Sequence, residues 1–254
     1  MGQRVVEAYG IMNTAYRDMV VFDLDDTLHM RAEPFARTVR EIFGIDEEQL
    51  LGKMFTDFRA IGVDYFHQWD AGTITEQEMY IRRTIDTFAL YDRELTREEA
   101  AHFHETYGKY LQQIRPAEGI ESMLQTAVDL GTGLGILTNG SPVRQRDKIR
   151  ALGLNRWIPE EHIAVSLELG VHKPDPEVFA LYKKKICEAE NIPDSCRWWY
   201  VGDLYEHDIE PAARAGWHTI WVVHDEEDKK VRRELEPDHI VRSGKELEER
   251  IRKL

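Results

Sequence analysis

Cysteine, long apolar runs and positive charge are all scarce in this sequence of 254 residues. Its cysteines, Cys187 and Cys196, form no CxxC motif, and so few thiols favour a reducing compartment. No apolar run approaches the ~18 residues of a membrane-spanning helix, and the N-terminal segment lacks the apolar stretch of a secretory signal. The sequence therefore predicts a cytoplasmic protein.

Positive charge is the scarcer sign, because 33 Lys and Arg residues stand against 47 Asp and Glu residues, for a net charge of −14. Such a surface repels phosphate backbones and anionic lipid, so neither a nucleic-acid polymer nor a membrane is an expected partner. A small anionic substrate would need a local cation to hold it against the overall field. The sequence does not indicate an oligomeric state.

Internal repeats are absent too, which excludes solenoids and propellers. From residue 117 onward, short apolar runs typical of buried strands alternate with helical patterns. Strands are predicted at 133–138, 163–166, 198–202 and 218–223, and helices at 117–130, 142–152, 176–190 and 208–215. This alternation predicts an α/β fold, a doubly wound Rossmann-like parallel sheet with helices on both faces.

One further strand, at 19–23, is followed by a long stretch of helical patterns. Helix ends are indicated there by four signals: Pro34 with Gly44, a weak capping pattern at Asp46–Gln49, and better capping boxes at Thr75–Glu78 and Thr96–Glu99. The sequence therefore predicts a catalytic core split into residues 1–29 and 116–254, with a helical cap domain inserted at 30–115.

Both ends of the chain carry a simpler pattern. Val5, Tyr9, Met12 and Tyr16 recur at helical spacing, which predicts a helix packed against the body of the protein. Near the other end, the acidic run 225–228 is interpreted as a solvated face, and a short edge strand is predicted at 239–243.

Two carboxylates follow the first strand, in Phe22-Asp23-Leu24-Asp25-Asp26-Thr27. Residues two apart in an extended segment project to the same side, so Asp23 and Asp25 would meet where open α/β sheets bind ligands. Two carboxylates at such a short distance repel each other unless one is protonated or a cation such as Mg²⁺ lies with them. A polar turn after a buried strand is the alternative interpretation.

Two more segments lead from a strand towards a helix. Thr138, with the N–H groups of a helix N-terminus, suits an anion, although ordinary capping explains the same residues. Prolines on both sides of Asp175 stiffen the backbone, so Lys173 would be held at a fixed place before a helix. An exposed lysine in a turn is the alternative there.

The fourth segment, 200–208, follows the most apolar predicted strand. It places Asp203 at the C-terminal tip of that strand and Asp208 in the first turn of the next helix. Complementing the helix dipole explains Asp208 well, and Asp203 less well.

Because a parallel sheet brings the C-terminal ends of its strands together, these four segments should converge. Thr138 to Lys173 is 35 residues and Lys173 to Asp203 is 30, each near one βα unit of roughly thirty residues. A nucleophilic carboxylate, a hydroxyl, a lysine and a further carboxylate pair are suited to phosphoryl transfer. The surplus between Asp23 and Thr138 is the helical insertion.

At this point the sequence resembles the haloacid dehalogenase (HAD) superfamily of phosphohydrolases with a helical C1-type cap. The resemblance covers about residues 19–223. The matching motifs are Asp23-x-Asp25-x-Thr27, Thr138, Lys173-Pro174, and Gly202-Asp203 with Asp208. The segment 70–75 and the sequences LTNG and GVHKPDPEVF are most similar to 5′-nucleotidase-type phosphatases. Departures are a longer N-terminal extension and Glu118-Gly119 where Pro-Gly is usual, and neither touches the motifs.

The resemblance implies a role for each matching residue. Asp23 would be the nucleophile that forms an aspartyl-phosphate. Asp25 would be the general acid for the leaving alcohol and then the base that activates water. Thr138 and Asn139 would hold phosphoryl oxygens, and Lys173 would neutralise Asp23 and the phosphate.

The resemblance also implies a Mg²⁺ site. Its ligands would be the Asp23 carboxylate, the Asp25 backbone carbonyl and Asp203. Asp208 would lie nearby, bound directly or through water.

The implied function is a Mg²⁺-dependent phosphomonoesterase of a small phosphate ester, with nucleoside 5′-monophosphates expected first and sugar phosphates or phosphoglycolate next. Asp25 speaks against a 2-haloacid dehalogenase, which needs no acid for an alcohol, and the intact polar set speaks against a catalytically silent module. Substrate choice would rest with the cap. There the aromatic cluster 65–69 is interpreted as packed interior, with base stacking as the alternative.

Overall fold

The computed structural model of the protein describes residues 16–190, 192–224 and 233–254. The chain folds into two compact units: one combines the described residues up to Met30 with those of Arg115–Leu254, and the other is Arg31–Ile114. The predicted helix at Val5, Tyr9 and Met12 and the acidic run 225–228 lie outside the described residues.

Six parallel strands form one sheet in the first unit, which confirms the predicted α/β fold. They are β1 (Asp18–Phe22), β2 (Gly133–Thr138), β3 (Ile163–Val165), β4 (Arg197–Gly202), β5 (His218–Val222) and β6 (His239–Val241). Burial is almost continuous along β1 to β5, as expected of strands covered on both faces, whereas two of the three residues of the edge strand β6 are only partly buried.

The order of the strands, β3-β2-β1-β4-β5-β6, makes β1 the point where the chain changes direction across the sheet. In register, Val21 of β1 lies between Gly135 of β2 and Tyr200 of β4. Ligands bind open α/β sheets outside the carboxyl ends of the strands at such a switch point. Asp23 follows β1 at this place, Thr138 ends β2 and Asp203 follows β4.

The second unit is helical, with α1 (Ala32–Phe43), α2 (Glu48–Asp70), α3 (Glu76–Ala89) and α4 (Arg97–Leu111). Gly44 ends α1 with a φ of 68°. The Thr75 side chain accepts the Glu78 N–H at the start of α3, and Thr96 forms the full reciprocal capping box with Glu99. The predicted cap at Asp46 is wrong, because its carboxylate accepts a hydrogen bond from Arg40 Nε instead (2.6 Å).

The core of the helical unit is apolar and largely aromatic. Its buried members are Phe35, Val39, Leu51, Met54, Phe55, Phe58, Phe88, Phe103 and Tyr107. The interpretation of 65–69 as packed interior is wrong, since Tyr65, Phe66 and Trp69 are only partly buried and His67 is exposed. Phe66 contacts His67 and Trp69 edge to face, whereas the buried stripe of α2 ends at Phe58.

In the first unit the helices are α5 (Ile120–Asp129), α6 (Pro142–Ala151), α7 (Ser166–Leu169), α8 (Glu177–Ala189), α9 (Glu210–Arg214) and α10 (Gly244–Ile251). One helix is predicted at 208–215. Instead, a π-helical turn (Tyr205–Ile209) leads into the short α9. None of the helices in the described part of the chain has both the length and the apolar character needed to span a bilayer.

Candidate active site

Five predicted site residues lie at the carboxyl end of the sheet and are almost fully buried. Their exposed fractions are 7% for Asp23, 1% for Thr138, 3% for Lys173, 6% for Asp203 and 1% for Asp208. Charged side chains are rarely buried unless they are paired or bind a metal. The alternative of an exposed lysine is therefore wrong for Lys173, whereas the catalytic interpretation of Asp23 stays a prediction.

Lys173 connects two of the aspartates. Its Nζ donates to Asp23 Oδ1 at 2.8 Å, to Asp208 Oδ1 at 2.6 Å and to the Tyr200 hydroxyl at 2.8 Å. All three ammonium protons thus have an acceptor, which is the full donor capacity of a lysine. The contacts fix the ammonium beside Asp23.

The pKa values in this cluster follow from burial and from the opposed charges. Burial raises the pKa of Asp23, and neighbouring Asp208 and Asp25 raise it further, while Lys173 opposes them. Burial alone would lower the pKa of Lys173, but Asp208 and Asp23 hold it well above its usual value. The two carboxylates therefore favour the charged form of Lys173, whereas the pKa of Asp23 is raised although the ammonium lies beside it.

Tyr200 belongs to this cluster, although sequence reasoning did not single it out. Its hydroxyl donates to the Leu137 carbonyl oxygen at 2.6 Å while it accepts from Lys173. Burial raises the pKa of Tyr200 well above its usual value, so the hydroxyl stays neutral. Tyr200 lies inside the apolar run WWYVG, where one buried aromatic residue is not distinguished from another.

Asn139 secures the loop that carries Lys173. Its Nδ2 donates to the Lys173 carbonyl oxygen at 2.8 Å, and its Oδ1 accepts the Lys173 N–H at 3.1 Å. The side-chain amide is thus engaged by the backbone of the lysine loop, and its contact with a phosphoryl oxygen stays a prediction.

Asp23, Asp203 and Asp208 each offer a carboxylate oxygen, and these oxygens lie within 4.8 Å of one another. The Leu204 N–H donates to Asp208 Oδ2 at 2.9 Å and orients that carboxylate. Gly202 makes the approach possible, because a Cβ there would lie only 2.4 Å from Asp208 Cβ.

The Asp25 carboxylate is not part of the group formed by Asp23, Asp203 and Asp208. His29 Nε2 lies 2.8 Å from Asp25 Oδ1, and Lys148 Nζ donates to both carboxylate oxygens at 2.6 Å. Gln145 Nε2 reaches Asp25 Oδ2 at 3.2 Å and Thr138 Oγ1 at 2.8 Å. Sequence reasoning missed these three partners, because none of them lies in a recognised motif.

A comparison with protein families identifies the family of the chain. The sequence profile of the haloacid dehalogenase-like hydrolases matches residues 18–216, which include every site residue described above. The chain belongs to the haloacid dehalogenase-like hydrolase family.

Relatives of this HAD-family chain with known names are phosphatases. A glyceraldehyde 3-phosphate phosphatase of Pyrococcus abyssi is 28% identical over 80% of both chains. The enzyme of the same name from Methanopyrus kandleri is 26% identical over 79% of this chain and 82% of its own. A phosphoserine phosphatase of Thermus thermophilus is 33% identical over 40% of this chain and 38% of its own.

Solved structures share the fold of the HAD family. A HAD-hydrolase of Bacillus subtilis bound to magnesium superposes with a TM-score of 0.66 at 22% identity, over 93% of this chain and 99% of its own. An L-2-haloacid dehalogenase of Xanthobacter autotrophicus superposes with a TM-score of 0.69 at 16% identity, also over 93% and 99%. At such identities the likeness concerns the fold, and different reactions share it.

The geometry of this HAD-family site divides into two neighbouring parts. Lys173 joins Asp23 to Asp208 in one part. Lys148 and Gln145 hold Asp25 in the other, and Gln145 links it to Thr138. A buried carboxylate beside a fixed cation suits a nucleophile, whereas a separately held carboxylate with partial access to solvent suits proton transfer.

Proposed function

We propose that this HAD-family hydrolase is a Mg²⁺-dependent phosphomonoesterase of a small phosphorylated metabolite. The observation that carries the proposal is the buried convergence of Asp23, Asp203, Asp208 and Lys173 at the end of β1. Support also comes from the relatives that are named as phosphatases over four-fifths of the chain. A cytoplasmic location, predicted from the sequence, agrees with a soluble substrate.

The reaction would proceed in two displacements at phosphorus. In the first, a carboxylate oxygen of Asp23 attacks the phosphorus, the P–O bond to the alcohol breaks, and Asp25 gives its proton to the leaving oxygen. In the second, Asp25 takes a proton from water as that water attacks the aspartyl-phosphate, which releases phosphate and restores Asp23. Thr138 and Lys173 would hold the phosphoryl oxygens in both steps.

The residues present fit a magnesium ion. With all three carboxylates ionised, one ammonium would leave two negative charges in a nearly solvent-free space, and a divalent cation would balance them. Carboxylate oxygens are the ligands that Mg²⁺ prefers. Asp23, Asp203 and the Asp25 backbone carbonyl would hold the ion, with Asp208 beside them. Bound there, Mg²⁺ would offset negative charge on the phosphoryl oxygens and on Asp23.

For the substrate we propose a sugar phosphate, with glyceraldehyde 3-phosphate the first compound to test, because relatives named as glyceraldehyde 3-phosphate phosphatases align over most of the chain. A nucleoside 5′-monophosphate is the second candidate. The partly exposed rings of Phe66 and Trp69 in the helical unit favour it, since such rings can stack on a base.

We also propose that the helical unit acts as a cap that selects the substrate. It interrupts the other unit directly after the strand that leads to Asp23. Substitutions of Phe66 or Trp69 should then change the ranking of substrates and leave the Mg²⁺ requirement unaltered.

The test is phosphate release from a panel of esters by metal-stripped protein with and without Mg²⁺. The panel contains glyceraldehyde 3-phosphate, phosphoglycolate, phosphoserine and pyrimidine nucleotides, ranked by kcat/KM. Activity should vanish after EDTA treatment and return with Mg²⁺, and Asp203→Asn should require more Mg²⁺ for half-maximal rate. Asp129→Asn, at an exposed aspartate on α5, is the control. Full activity without metal, or no phosphate release from any ester, would contradict the proposal.

A further inference from the structure

Helix α6 presents two polar side chains to Asp25. Gln145 and Lys148 are three residues apart and therefore lie on one face of the helix. Lys148 Nζ donates to both Asp25 oxygens at 2.6 Å, and Gln145 Nε2 donates to Asp25 Oδ2 at 3.2 Å. A third contact comes from His29, whose Nε2 lies 2.8 Å from Asp25 Oδ1. The Asp25 carboxylate is thus held by groups from two separate segments of the chain.

Gln145 connects this carboxylate to Thr138 and Asn139, which are the residues expected to hold phosphoryl oxygens. The same Nε2 group contacts Thr138 Oγ1 at 2.8 Å and the Asn139 carbonyl oxygen at 2.9 Å, so its two N–H protons are shared among three acceptors. Gln145 is only 2% exposed, so these hydrogen bonds are shielded from competing water. Gly140 leaves room for it, since a Cβ at that position would press against the Gln145 side chain at 3.3 Å.

Lys148 also differs from its basic neighbours on α6. Its side chain is only 12% exposed, and that of Asp25 is 17% exposed. Arg146 pairs with Glu160 and Glu168, and Arg150 pairs with Asp147, all at the surface. Long basic side chains normally extend into water, so an ammonium withdrawn onto the Asp25 carboxylate is a specific arrangement.

We propose that Lys148 and Gln145 are positioning residues that fix the Asp25 carboxylate beside Thr138. Two donors on one carboxylate oppose its rotation about the Cβ–Cγ bond, and the shared Gln145 amide sets its place relative to the phosphate-binding hydroxyl. The inference rests on the proposed phosphatase function, in which Asp25 transfers the proton. It adds that α6 holds Asp25 in the orientation in which it transfers the proton.

The test is Lys148→Met, which keeps an unbranched apolar side chain and removes the ammonium. With an alkyl phosphate we expect kcat to fall by about 10- to 100-fold while KM changes much less, as is usual when a supporting partner of an active-site group is removed. Lys148→Arg keeps a cationic donor and should recover part of the rate. Arg150→Met, which removes the same charge from the exposed side of α6, should behave as wild type.

The leaving group separates positioning from general damage. With p-nitrophenyl phosphate the first displacement needs no proton, because p-nitrophenolate leaves readily without one. Lys148→Met should therefore release a rapid burst of about one p-nitrophenol per site and then turn over slowly, since water activation still depends on Asp25. A merely unfolded fraction would lower the burst amplitude in proportion to the rate.

A double substitution decides whether Lys148 acts through Asp25. Asp25→Asn combined with Lys148→Met should be no slower than Asp25→Asn alone, since the partner that Lys148 positions is already gone. Independent, multiplying losses would overturn the inference, as would a Lys148→Met protein that matches Arg150→Met on an alkyl phosphate. If wild type released phosphate from no ester, the proposed function itself would fail. Activity in wild type and an effect at Asp25 without one at Lys148 would reject only the positioning role.

Discussion

The two units of the chain treat charge in opposite ways. In the α/β unit, Asp23, Asp203, Asp208 and Lys173 are buried together. Among residues 31–114, all of which the structure describes, the buried polar side chains are threonines only. Several of them satisfy their hydroxyl within their own helix, as when Thr38 donates to the Pro34 carbonyl oxygen at 2.8 Å.

This difference indicates that the α/β unit keeps a buried ion cluster for function and not for stability. Buried ion clusters are often less favourable for stability than well-packed apolar groups of similar volume, so a unit that keeps one does so for another reason. Exposed ion pairs such as those of Arg40 and Arg97 in the helical unit contribute little. Substitutions in the α/β cluster should therefore change activity. Substitutions of polar groups in the helical unit, other than at the substrate-selecting rings proposed above, should act on stability instead.

The largest effect is expected at Asp23. Asp23→Asn removes the proposed nucleophile, and kcat should fall on the order of 10⁵- to 10⁶-fold, as when other covalent nucleophiles are removed. Its thermal unfolding midpoint should lie at or near that of wild type, because the neutral amide avoids the cost of a buried carboxylate.

Asp57→Asn is the matched change in the helical unit, where the carboxylate accepts from the Tyr91 hydroxyl at 2.5 Å. It should leave kcat unaltered and destabilise by about 1 kcal/mol. A large loss of activity there, or a small one at Asp23, would break the division between the units.

A pair of glycine substitutions sharpens the same comparison. Gly202→Ala puts a Cβ within 2.6 Å of three Asp208 atoms, so Asp208 must shift and its contact with Lys173 is disturbed. We expect kcat to fall about 10²-fold, as for a misplacement of about 1 Å. Gly52→Ala, inside α2 with open space around it, should instead stabilise the fold by ~0.5–1 kcal/mol and leave kcat unchanged. Steady-state kinetics and thermal unfolding of both variants check this, and equal effects would contradict it.

The strands and the motif residues were predictable because each is a local signal. The apolar run 133–138 coincides with β2, and the residues after each strand tip lie where a parallel sheet must bring them. Tyr200 and Lys148 could not be predicted, because their roles depend on which side chain faces them across the fold. In sequence, Lys148 stands among the charges of QRDKIR, a pattern typical of a solvated helix face. Asp46 failed as a cap for the same reason, since Arg40 claims its carboxylate.

The smallest effect is expected at Glu78 on α3, which tests the claim that charge in the helical unit matters only at the surface. Hydrogen bonds from Arg97 and then Arg82 lower the pKa of Glu78 to about 2 from 4.5. A depressed pKa means that the stabilisation is full above about pH 4.5 and is lost as the pH falls towards about 2. At pH 7 the thermal unfolding midpoint of Glu78→Gln should therefore lie slightly below that of wild type. This difference in midpoint should disappear on acidification.

Added salt should narrow that gap at pH 7 as well, because the pair is screened by solvent ions. Glu105→Gln, at an exposed glutamate in the middle of α4, is the control and should show no pH-dependent gap. Thermal unfolding midpoints across this pH range measure the difference. If the difference in midpoint between Glu78→Gln and wild type persisted at low pH or in high salt, the Glu78 side chain would contribute through packing and not through its charge. The helical unit would then differ less from the α/β unit than its burial pattern indicates.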